Sequence, residues 1–467
     1  MLLSTTNSIE RLSVLFGFML LIILTSAEIL CAQTEVAGEV SGVWDIEGSP
    51  YIAVDEVSVP TGEQLTIEPG VEVRFQEQLP FLVNGILRAI GTEEDSVWFI
   101  SDDPDNDVRW GGIHFVEAED GCEIAFSHIS GIGWEDAPRD INGILIERSS
   151  TVIRNCLITD CFDFHFDNRL ARACLWIAEA NGVIIEENSI VGNTGSAIGL
   201  FRGRGITRIT GNIIRGNNGN GISCFQGDIA YIQSNQILDN SLHGLKIQND
   251  FSNVENNTIS GNEYDGISSR CNVVVIKGNV ITNNSIRDGF GLDLHTHFGR
   301  SIVVGNIIAY NSSDGGVALD RGHKTHFYNN VVYRNSRYGI YGRQFANDKN
   351  IQNCILWGHF IDDISNGIHN IHYCAVGSRF GEEGMVNEVP RFIDPENGDF
   401  RLVEDSPLFD AGNPHPLYND ADGSRADLGA YGGNNLVFGF GESIEYSEIG
   451  YYCLNEEYIT LCNFNEN

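Results

Sequence analysis

The sequence has 467 residues, with 64 acidic and 28 basic side chains and a formal net charge of −36 at pH 7. Such a charge repels phosphate backbones and anionic lipids, so the composition excludes nucleic acid and anionic membrane surfaces as partners. A saline habitat and bound divalent cations would each account for the same charge. The composition therefore gives the sign of the surface without naming a ligand.

The first 32 residues have the order of a secretory signal peptide. An almost wholly apolar run, Leu12–Leu24, follows a basic residue and leads into small residues that allow cleavage after Ala27 or Ala32. The run is too short for a stable membrane anchor. Cys31 suggests a lipoprotein as the alternative, although the leucine before it is larger than such a site prefers. We predict a signal peptide over residues 1–32 and a mature bacterial chain that is secreted or held at the cell surface without a transmembrane anchor.

The rest of the chain divides into four segments. Short apolar runs separated by prolines indicate a β-rich N-terminal cap over residues 33–120. Repeats follow over residues 121–375, then a closing segment over 376–433 and a tail without repeats over 434–467.

Asparagines give the period of the repeats. An Asn followed two places later by an aliphatic residue recurs at steps of 22 to 33 residues. These asparagines are Asn155, Asn188, Asn212, Asn235, Asn257, Asn279, Asn306, Asn330 and Asn353. A second Asn marks the bend in most units, at Asn193, Asn217, Asn240, Asn262, Asn284, Asn311 and Asn335. Because Asn tolerates left-handed backbone and bonds locally, we interpret the Asn sets as structural ladders that pass from coil to coil.

The units alternate apolar and polar residues, which is typical of short half-buried strands, and they carry no helical periodicity. Each unit can bury its apolar side only against the next, so the repeats predict a stack of coils. We expect an all-β, parallel solenoid with about ten or more coils and three short strands per coil. One inward stack should contain Ile190, Ile214, Ile237, Ile259, Ile281, Ile308, Val332 and Ile355.

The units resemble the repeats of extracellular bacterial right-handed parallel β-helix proteins, a group related in architecture to pectate, alginate and chondroitin lyases and to polygalacturonases. Two flanking segments share this resemblance: Val59-Pro-Thr-Gly-Glu-Gln-Leu-Thr-Ile-Glu-Pro-Gly-Val and Asp422-Gly-Ser-Arg-Ala-Asp-Leu-Gly-Ala-Tyr. The resemblance covers about residues 40–433 and implies a right-handed helix. It does not imply a reaction, because the architecture hosts lyases, hydrolases, epimerases and binding proteins.

An open solenoid has no deep central pocket, so a site must lie on an outer face where side chains stack coil over coil. In the strand after each bend, which we take to start at its Gly-Ile or Gly-Leu, alternate residues point outward and form two columns. The first column is Trp176, Gly199, Ser223, Lys246, Ser268, Asp293, Ala318 and Tyr341. The second is Ala178, Phe201, Phe225, Gln248, Arg270, His295, Asp320 and Arg343.

These columns place ionisable residues of adjacent coils in one patch, which we predict as the catalytic centre. Its members are Lys246, Arg270, Asp293, His295, Asp320 and Arg343. Aromatic residues at either end are the predicted substrate-binding platforms: Trp176, Phe201, Phe225 and Tyr341. Rings that lie on sugar faces, beside charges that bond hydroxyls or carboxylates, fit a polysaccharide. The alternative is a solvated sheet whose opposite charges only stabilise the ladder.

Two other clusters contain histidines. The histidines of two adjacent turns, beside Asp293 and Asp320, suggest proton transfer, a transition-metal site or plain surface residues. They are His295, His297, His323 and His326. The long insert places Asp163, His165 and Asp167 on one face of a predicted strand. That strand either walls the groove or packs over the core.

Calcium is the one cofactor that the sequence suggests. The closing run from Asn419 to Asp427 offers several oxygens around a glycine turn, although it lacks the pattern of an EF-hand. The alternative is a hydrogen-bonded turn that seals the solenoid.

Eleven cysteines in an exported chain suggest disulfides. Cys453 and Cys462 in the tail are the predicted pair, and a second candidate is Cys156 with Cys161. The strand residues Cys224 and Cys271 should act as small apolar fillers.

Three function classes are open. A lyase would use Lys246 as base and Arg270 as carboxylate clamp, in the manner of related β-helix lyases and by residue type only. A hydrolase would use the carboxylates of Asp293 and Asp320. A non-catalytic structural or adhesion protein of the cell surface would need only the groove and the stack. We predict a monomer that binds, and in the first two classes cleaves, an extracellular polysaccharide, with a uronate-containing polymer as the main candidate.

Overall fold

The computed structural model describes residues 33–76, 78–103, 108–133, 143–162, 173–227, 229–295, 300–320, 324–343, 349–365, 368–377, 382–433, 452–454 and 459–461. The predicted signal peptide lies outside these residues. Within these ranges, no helix is long and apolar enough to cross a membrane.

The solenoid strands pair in parallel with the equivalent strand one coil away, on three faces. Face 1 consists of β6 (Phe81–Val83), β9 (Ile113–Val116), β12 (Ile144–Glu147), β15 (Ala173–Ala178), β18 (Ser196–Phe201), β21 (Ile222–Phe225), β24 (Leu245–Gln248), β27 (Ile267–Ser269), β30 (Phe290–Leu294), β33 (Gly315–Leu319), β36 (Tyr338–Gly342) and β39 (Asp362–Ile364).

Face 2 consists of β1 (Thr34–Glu39), β3 (Tyr51–Val59), β5 (Glu72–Phe75), β8 (Val97–Ser101), β11 (Ser127–Ile129), β14 (Leu157–Thr159), β17 (Ser189–Val191), β20 (Ile213–Arg215), β23 (Gln236–Leu238), β26 (Thr258–Ser260), β29 (Val280–Thr282), β32 (Ile307–Ala309), β35 (Val331–Tyr333), β38 (Ile355–Trp357) and β41 (Ala375–Val376). The long strand β3 joins the two faces, because its first half pairs with β5 and its second half with β6.

Face 3 consists of β2 (Gly42–Trp44), β4 (Gln64–Ile67), β7 (Ile86–Ile90), β10 (Cys122–Ala125), β13 (Thr151–Arg154), β16 (Ile184–Glu186), β19 (Ile206–Thr210), β22 (Ile229–Gln233), β25 (Phe251–Glu255), β28 (Val273–Lys277), β31 (Arg300–Val304), β34 (Lys324–Tyr328), β37 (Lys349–Gln352) and β40 (Ile371–His372). These 14 strands, with the other two faces, confirm an all-β parallel solenoid of more than ten coils and three strands per coil.

Alternation along each strand fills the core. In β26, Thr258 is exposed, Ile259 is buried and Ser260 is half-buried. Ile259 pairs with Ile237 in one neighbouring coil and with Ile281 in the other, so β-branched side chains of one kind stack inward. The predicted inward stack is confirmed from Ile190 to Val332.

Buried asparagine side chains connect the coils. The Nδ2 group of Asn235 donates to Oδ1 of Asn257 at 2.9 Å and to the carbonyl of Ile209 at 2.8 Å. Oδ1 of Asn235 accepts from the backbone N–H and from Nδ2 of Asn212, at 2.9 Å and 3.0 Å. The same pattern repeats from Asn188 to Asn330 and, at the second bend, from Asn193 to Asn335. The two ladders are confirmed over these ranges.

The first ladder ends one residue away from the predicted asparagines. Asn155 and Asn353 have φ values of 53° and 56°, and they form left-handed bends just before the ladder position. Cys156 and Cys354 occupy that position instead, and Sγ of Cys354 accepts the backbone N–H of Asn330 at 3.5 Å. The prediction therefore slipped by one residue at each end.

The slip also corrects the inward stack at its last member. Leu356, and not Ile355, pairs with Val332 and continues the stack. Ile355 pairs with Val331 and belongs to the apolar cluster beneath the closing segment.

The closing segment packs on the outer side of face 2. It contains an antiparallel pair, β42 (Phe392–Asp394) with β43 (Asp399–Leu402), and two short 3-10 helices, Pro395–Asn397 and Pro416–Tyr418. Its apolar residues share a buried cluster with Ile307, Val331 and Ile355 of face 2: they are Phe392, Phe400, Leu408 and Leu428. A second antiparallel pair, β44 (Tyr452–Leu454) with β45 (Ile459–Leu461), lies in the tail. The apolar cluster of the closing segment therefore involves face 2, whereas the predicted site lies on face 1.

The acidic run of the closing segment is a hydrogen-bonded turn. Oδ2 of Asp420 accepts the backbone N–H of Asp427 at 3.0 Å, and Oδ1 of Asp427 accepts that of Asp410 at 2.8 Å. Among the residues that the structure describes, no group of three or more His, Cys, Asp or Glu side chains is arranged to hold a metal ion. These hydrogen bonds match the predicted hydrogen-bonded turn, and calcium binding at this run stays a prediction.

Cysteines occupy the core. Cys161 forms a disulfide with Cys174, so the pairing of Cys156 with Cys161 is wrong. Cys156 is a free, buried thiol at the end of the asparagine ladder, where its backbone N–H donates to Asn188. Cys224 and Cys271 are fully buried thiols, as expected of apolar fillers. The side chains of Cys453 and Cys462 lie outside the described residues, and their pairing stays a prediction.

The inward register predicts the effect of a buried charge. Ile259 is fully buried, so we expect Ile259→Asp to lower the free energy of unfolding by about 3–5 kcal/mol, the usual effect of an uncompensated buried charge. Thr258→Asp, on the exposed neighbour, is the matched control and should change it by less than about 0.5 kcal/mol. Guanidinium denaturation followed by circular dichroism measures both. Equal stability of the two variants would contradict the register.

The closing turn predicts a dependence of stability on pH. Burial raises the pKa of Asp427 to about 6, from an ordinary value of 3.8. The native state therefore binds more protons than the unfolded state between these values, and the free energy of unfolding falls as the pH rises through them. We expect Asp427→Asn, which cannot ionise, to melt at a higher temperature than the unaltered chain at about pH 7.5, with a smaller difference at about pH 4.5.

Asp422→Asn is the control for that measurement. Hydrogen bonds from Ser424 lower the pKa of the exposed Asp422 carboxyl, so its loss should not raise the melting temperature at neutral pH. A melting-temperature difference for Asp427→Asn that is the same at both pH values would contradict the raised pKa.

Candidate functional site

The strand pairing of face 1 determines which side chains are neighbours. In the first predicted column Lys246 pairs with Ser268, and Ser268 pairs with Asp293. The other members follow in the predicted order: Trp176, Gly199 and Ser223 before them, Ala318 and Tyr341 after them. Adjacent strands of a sheet are about 4.8 Å apart, so the column is continuous along the solenoid axis.

The second column has the predicted register as well. Its first members, Ala178, Phe201, Phe225 and Gln248, pair in order. Beyond the strand ends the parallel bonding continues, since the backbone N–H of His295 donates to Ser269 at 2.9 Å and that of Arg343 donates to Leu319 at 2.8 Å. Every residue predicted for the site therefore lies on a strand of face 1 or one residue past its end.

A third outward column was not predicted. It consists of the residues just before the glycine of each unit: Asn220, His243, Asp265, Phe290, Gly315 and Tyr338. The prediction started each strand at its glycine and so left this column out. The sequence signal was a polar or aromatic residue immediately before the Gly-Ile or Gly-Leu of several adjacent units.

Four of the predicted charged residues form one network. Arg343 reaches back across β33 to Asp293, where Nη1 donates to Oδ1 at 2.6 Å and Nη2 donates to Oδ2 at 3.1 Å. Nη1 also lies 3.0 Å from Nδ1 of His295, which is 3.6 Å from Oδ2 of Asp320. Because a guanidinium only donates, Nδ1 of His295 is the acceptor in this contact.

Burial sets the ionisation of this network. Burial raises the pKa of Asp293, and the hydrogen bonds from Arg343 only partly offset that rise. Burial also acts to lower the pKa of Arg343, but the hydrogen bonds and charge of Asp293 outweigh it and the pKa is raised. Asp320, which was predicted in the outward second column, is only 6 % exposed.

Lys246 and Arg270 stand apart from that network. Lys246 lies on β24 and is half-buried, and Arg270 lies one residue past the end of the adjacent strand β27 and is exposed. Neither forms an ion pair with a carboxylate among the described residues. Burial, followed by the positive charge of Arg270, lowers the pKa of Lys246. Two neighbouring cations without a carboxylate partner provide a place for an anion.

Asp265 lies between the two groups of charges. Its Oδ1 accepts the backbone N–H of Phe290 at 2.6 Å, and its Oδ2 lies 3.2 Å from Nδ1 of His243. Asp265 is 6 % exposed, and its charge acts on the ionisation of Lys246 and Asp293 on either side. The acidic residue at the centre of the site is therefore one that the prediction did not include.

Aromatic side chains lie on either side of the charged centre. Trp176 stacks on Phe201 with 5.8 Å between ring centroids and also lies over Gly199, where any Cβ would stand 2.4 Å from the indole. At the other end, Tyr341 stacks on Phe290 with 6.0 Å between centroids. Trp176 can occupy this position only because residue 199 is a glycine without a side chain.

The two described histidines of the predicted cluster, His295 and His326, lie on different faces. His295 lies on face 1, whereas His326 lies on β34 of face 3 and bonds the hydroxyl of Tyr328 at 2.8 Å. The chain turns from one face to another between successive strands, so these two histidines end on different sides of the solenoid. His297, His323 and the insert residues Asp163, His165 and Asp167 lie outside the described residues.

Solved structures with a similar fold include, by their titles, an alginate epimerase, a pectate lyase and a mannuronan C-5 epimerase. The periplasmic alginate epimerase AlgG aligns over 74 % of this chain and 84 % of its own, with 15 % identity and a TM-score of 0.49. Pectate lyase Pel9A aligns over 80 % and 88 %, with 12 % identity and a TM-score of 0.35. The A-module of mannuronan C-5 epimerase AlgE6 from Azotobacter vinelandii aligns over 76 % and 92 %, with 13 % identity and a TM-score of 0.36. These likenesses concern the fold alone.

Sequence comparisons give one local relative and one family. Protein bark beetle from Drosophila melanogaster is 48 % identical over 44 residues, which are 9 % of this chain and 1 % of that protein. The family described as "Right handed beta helix region" matches residues 142–286 and 230–380, together just over half of the chain. With its parallel three-faced solenoid, this chain belongs to the right-handed β-helix family.

Proposed function

We propose that face 1 binds an acidic polysaccharide, with the polymer lying along the solenoid axis across the strands. The observation that supports this most directly is the pair of cations, Lys246 and Arg270, without carboxylate partners among the described residues. In a chain with a formal net charge of −36, two adjacent unpaired cations are unfavourable to each other and favour a carboxylate ligand.

A polymer fits better than a small molecule because the outward columns continue over many coils. Trp176 and Phe201 offer ring faces on one side of the cations, and Tyr341 offers one on the other. Ring faces suit the apolar sides of sugars, while buried carboxylates such as Asp293 and Asp265 accept hydrogen bonds from hydroxyls. We therefore assign a uronate-containing chain as the ligand class.

Cleavage is a second candidate, favoured by the lowered pKa of Lys246. A neutral amine there would take the proton alpha to the uronate carboxylate, whose charge Arg270 would stabilise. The electron pair of the broken C–H bond would form a carbon–carbon double bond as the C–O bond to the glycosidic oxygen breaks. The leaving oxygen would take up a proton from water, and the Lys246 ammonium would release its proton to solvent. Without such turnover, the same face serves as a binding surface.

The place of action in this proposal is outside the cytoplasm. The apolar run at the N-terminus is the basis for export, and a secreted or surface-held chain would meet an extracellular polysaccharide directly. A non-catalytic adhesion protein of the cell surface is the alternative within the same location.

Replacing either cation should weaken binding. We expect Arg270→Ala and Lys246→Met each to raise the Kd for a galacturonate or mannuronate hexamer by about 10- to 100-fold, since a charge-assisted hydrogen bond is worth about 1.5–3 kcal/mol. Isothermal titration calorimetry at two salt concentrations measures this, and binding by the unaltered chain should weaken with salt. Arg208→Ala on face 3 removes the same charge from an exposed site and is the matched control. Unchanged affinity in both face 1 variants, or equal binding of cellohexaose, would contradict the proposal.

Turnover has its own test. We expect the unaltered chain to release products with a new absorbance near the ultraviolet band of unsaturated uronates, and Lys246→Met to abolish it. Because the base must be neutral, the rate should rise with pH, with a midpoint below the ordinary lysine pKa of 10.5. If the chain binds the polymer but no such absorbance develops, the lyase hypothesis is wrong and the binding hypothesis stands.

A further inference from the structure

From Lys246 to Tyr341, the first column of face 1 alternates large and small side chains. Ser268 lies between Lys246 on one neighbouring strand and Asp293 on the other. Ala318 lies in the same way between Asp293 and Tyr341. The backbones of the two larger neighbours are two strand spacings, about 10 Å, apart, and the small residue leaves a depression between their side chains.

The two depressions differ in whether they are filled. The guanidinium of Arg343 passes across the strand of Ala318 to reach Asp293, and Ala318 is fully buried. Ser268 has no such bridge among the described contacts, and it remains half-buried rather than buried. The depression above Ser268 is therefore the open one.

The walls of that depression carry opposite charges. Lys246 lies on the neighbouring strand toward the N-terminus. Arg270 follows Ser268 by two residues in the same coil. Asp293 lies on the C-terminal side, and Asp265 lies three residues before Ser268 in the third column. A ligand there meets cations on one wall and acceptors for hydroxyl groups on the other.

We propose that Ser268 is the floor of a subsite for one uronate ring and determines which residue of the polymer fits there. The ring carboxylate faces Lys246 and Arg270, and its hydroxyls face Asp293 and Asp265. This inference rests on the proposed binding of an acidic polysaccharide and adds the position, the size limit and the orientation of the bound sugar.

A cysteine placed at the floor tests the position directly. Ser268→Cys is nearly isosteric, and Ser260→Cys is a matched control, since Ser260 is a half-buried serine of the same coil on face 2. Hexamers of galacturonate, mannuronate and guluronate are first titrated against the unaltered chain. The hexamer that binds most tightly is then used as the probe. A thiosulfonate reagent labels the new thiol, and the unaltered chain, labelled in parallel, corrects for its own cysteines.

We expect a saturating hexamer to slow labelling of Ser268→Cys by about tenfold or more, because occupancy at 10 Kd leaves about a tenth of the sites open. Labelling of Ser260→Cys should not change. Equal labelling of Ser268→Cys with and without a hexamer that binds would overturn the subsite. If no hexamer binds the unaltered chain, the proposed function itself fails, and the two failures are distinguished by that first titration.

Bulk at the same position gives a second, independent result. We expect Ser268→Leu to raise the Kd by about tenfold or more and Ser268→Ala to leave it within about twofold. Ser260→Leu, which places a leucine beside the existing Leu238 on face 2, should bind like the unaltered chain. A folded Ser268→Leu variant with full affinity would overturn the size limit.

Discussion

Hydrogen bonds that buried asparagine side chains pass from coil to coil hold the solenoid in register. Each amide in the ladders donates to the next amide and to a backbone carbonyl, as Asn235 does with Asn257 and Ile209. A buried amide without these partners would be strongly unfavourable, so the bend can sit at only one place in each coil. Because side chains alternate across a strand, a shift by one residue would turn every outward residue inward.

The site follows from that register. Residues separated by more than 20 positions in sequence become neighbours because the ladders set the same residue of each coil above the last. The arrangement gathers Lys246, Arg270, Asp265 and Asp293 within three successive strands. Burial then shifts their pKa values in opposite senses, lowering that of Lys246 and raising that of Asp293. Such divergent environments are typical of centres where one group gains and another loses a proton.

Much of the fold could be predicted from the sequence because particular residue types occupy the same structural position in each repeat. Asparagine at the bend and isoleucine after it predict both ladders and the inward stack. The prediction slipped where cysteine replaces asparagine in the ladder, since Asn353 then stands at the bend and resembles a ladder residue. Pairing of Cys161 with Cys174 was missed because an insert separates them, and periodicity says nothing about an insert.

The candidate site was predicted in part for the same reason. Period-two alternation places the two columns that contain Lys246 and Arg270. It cannot place the residue before each glycine, where the chain is still leaving the bend, and so Asp265 and His243 were missed. Alternation along the strand also could not predict that Asp320 is buried, because its burial depends on how His295 and its neighbours pack against it.

The equal length of adjacent coils makes the solenoid modular along its axis. Asn235, Asn257 and Asn279 follow one another at intervals of 22 residues. Excision of residues 257–278 would remove one whole coil and allow Asn235 to bond Asn279 in place of Asn257. The same excision would remove Asp265, Ser268 and Arg270 together and set Lys246 directly beside Asp293. Loss or duplication of a single coil in a lineage would thus convert an open anion site into an internal ion pair, or the reverse, while the hydrogen-bonded frame stays intact.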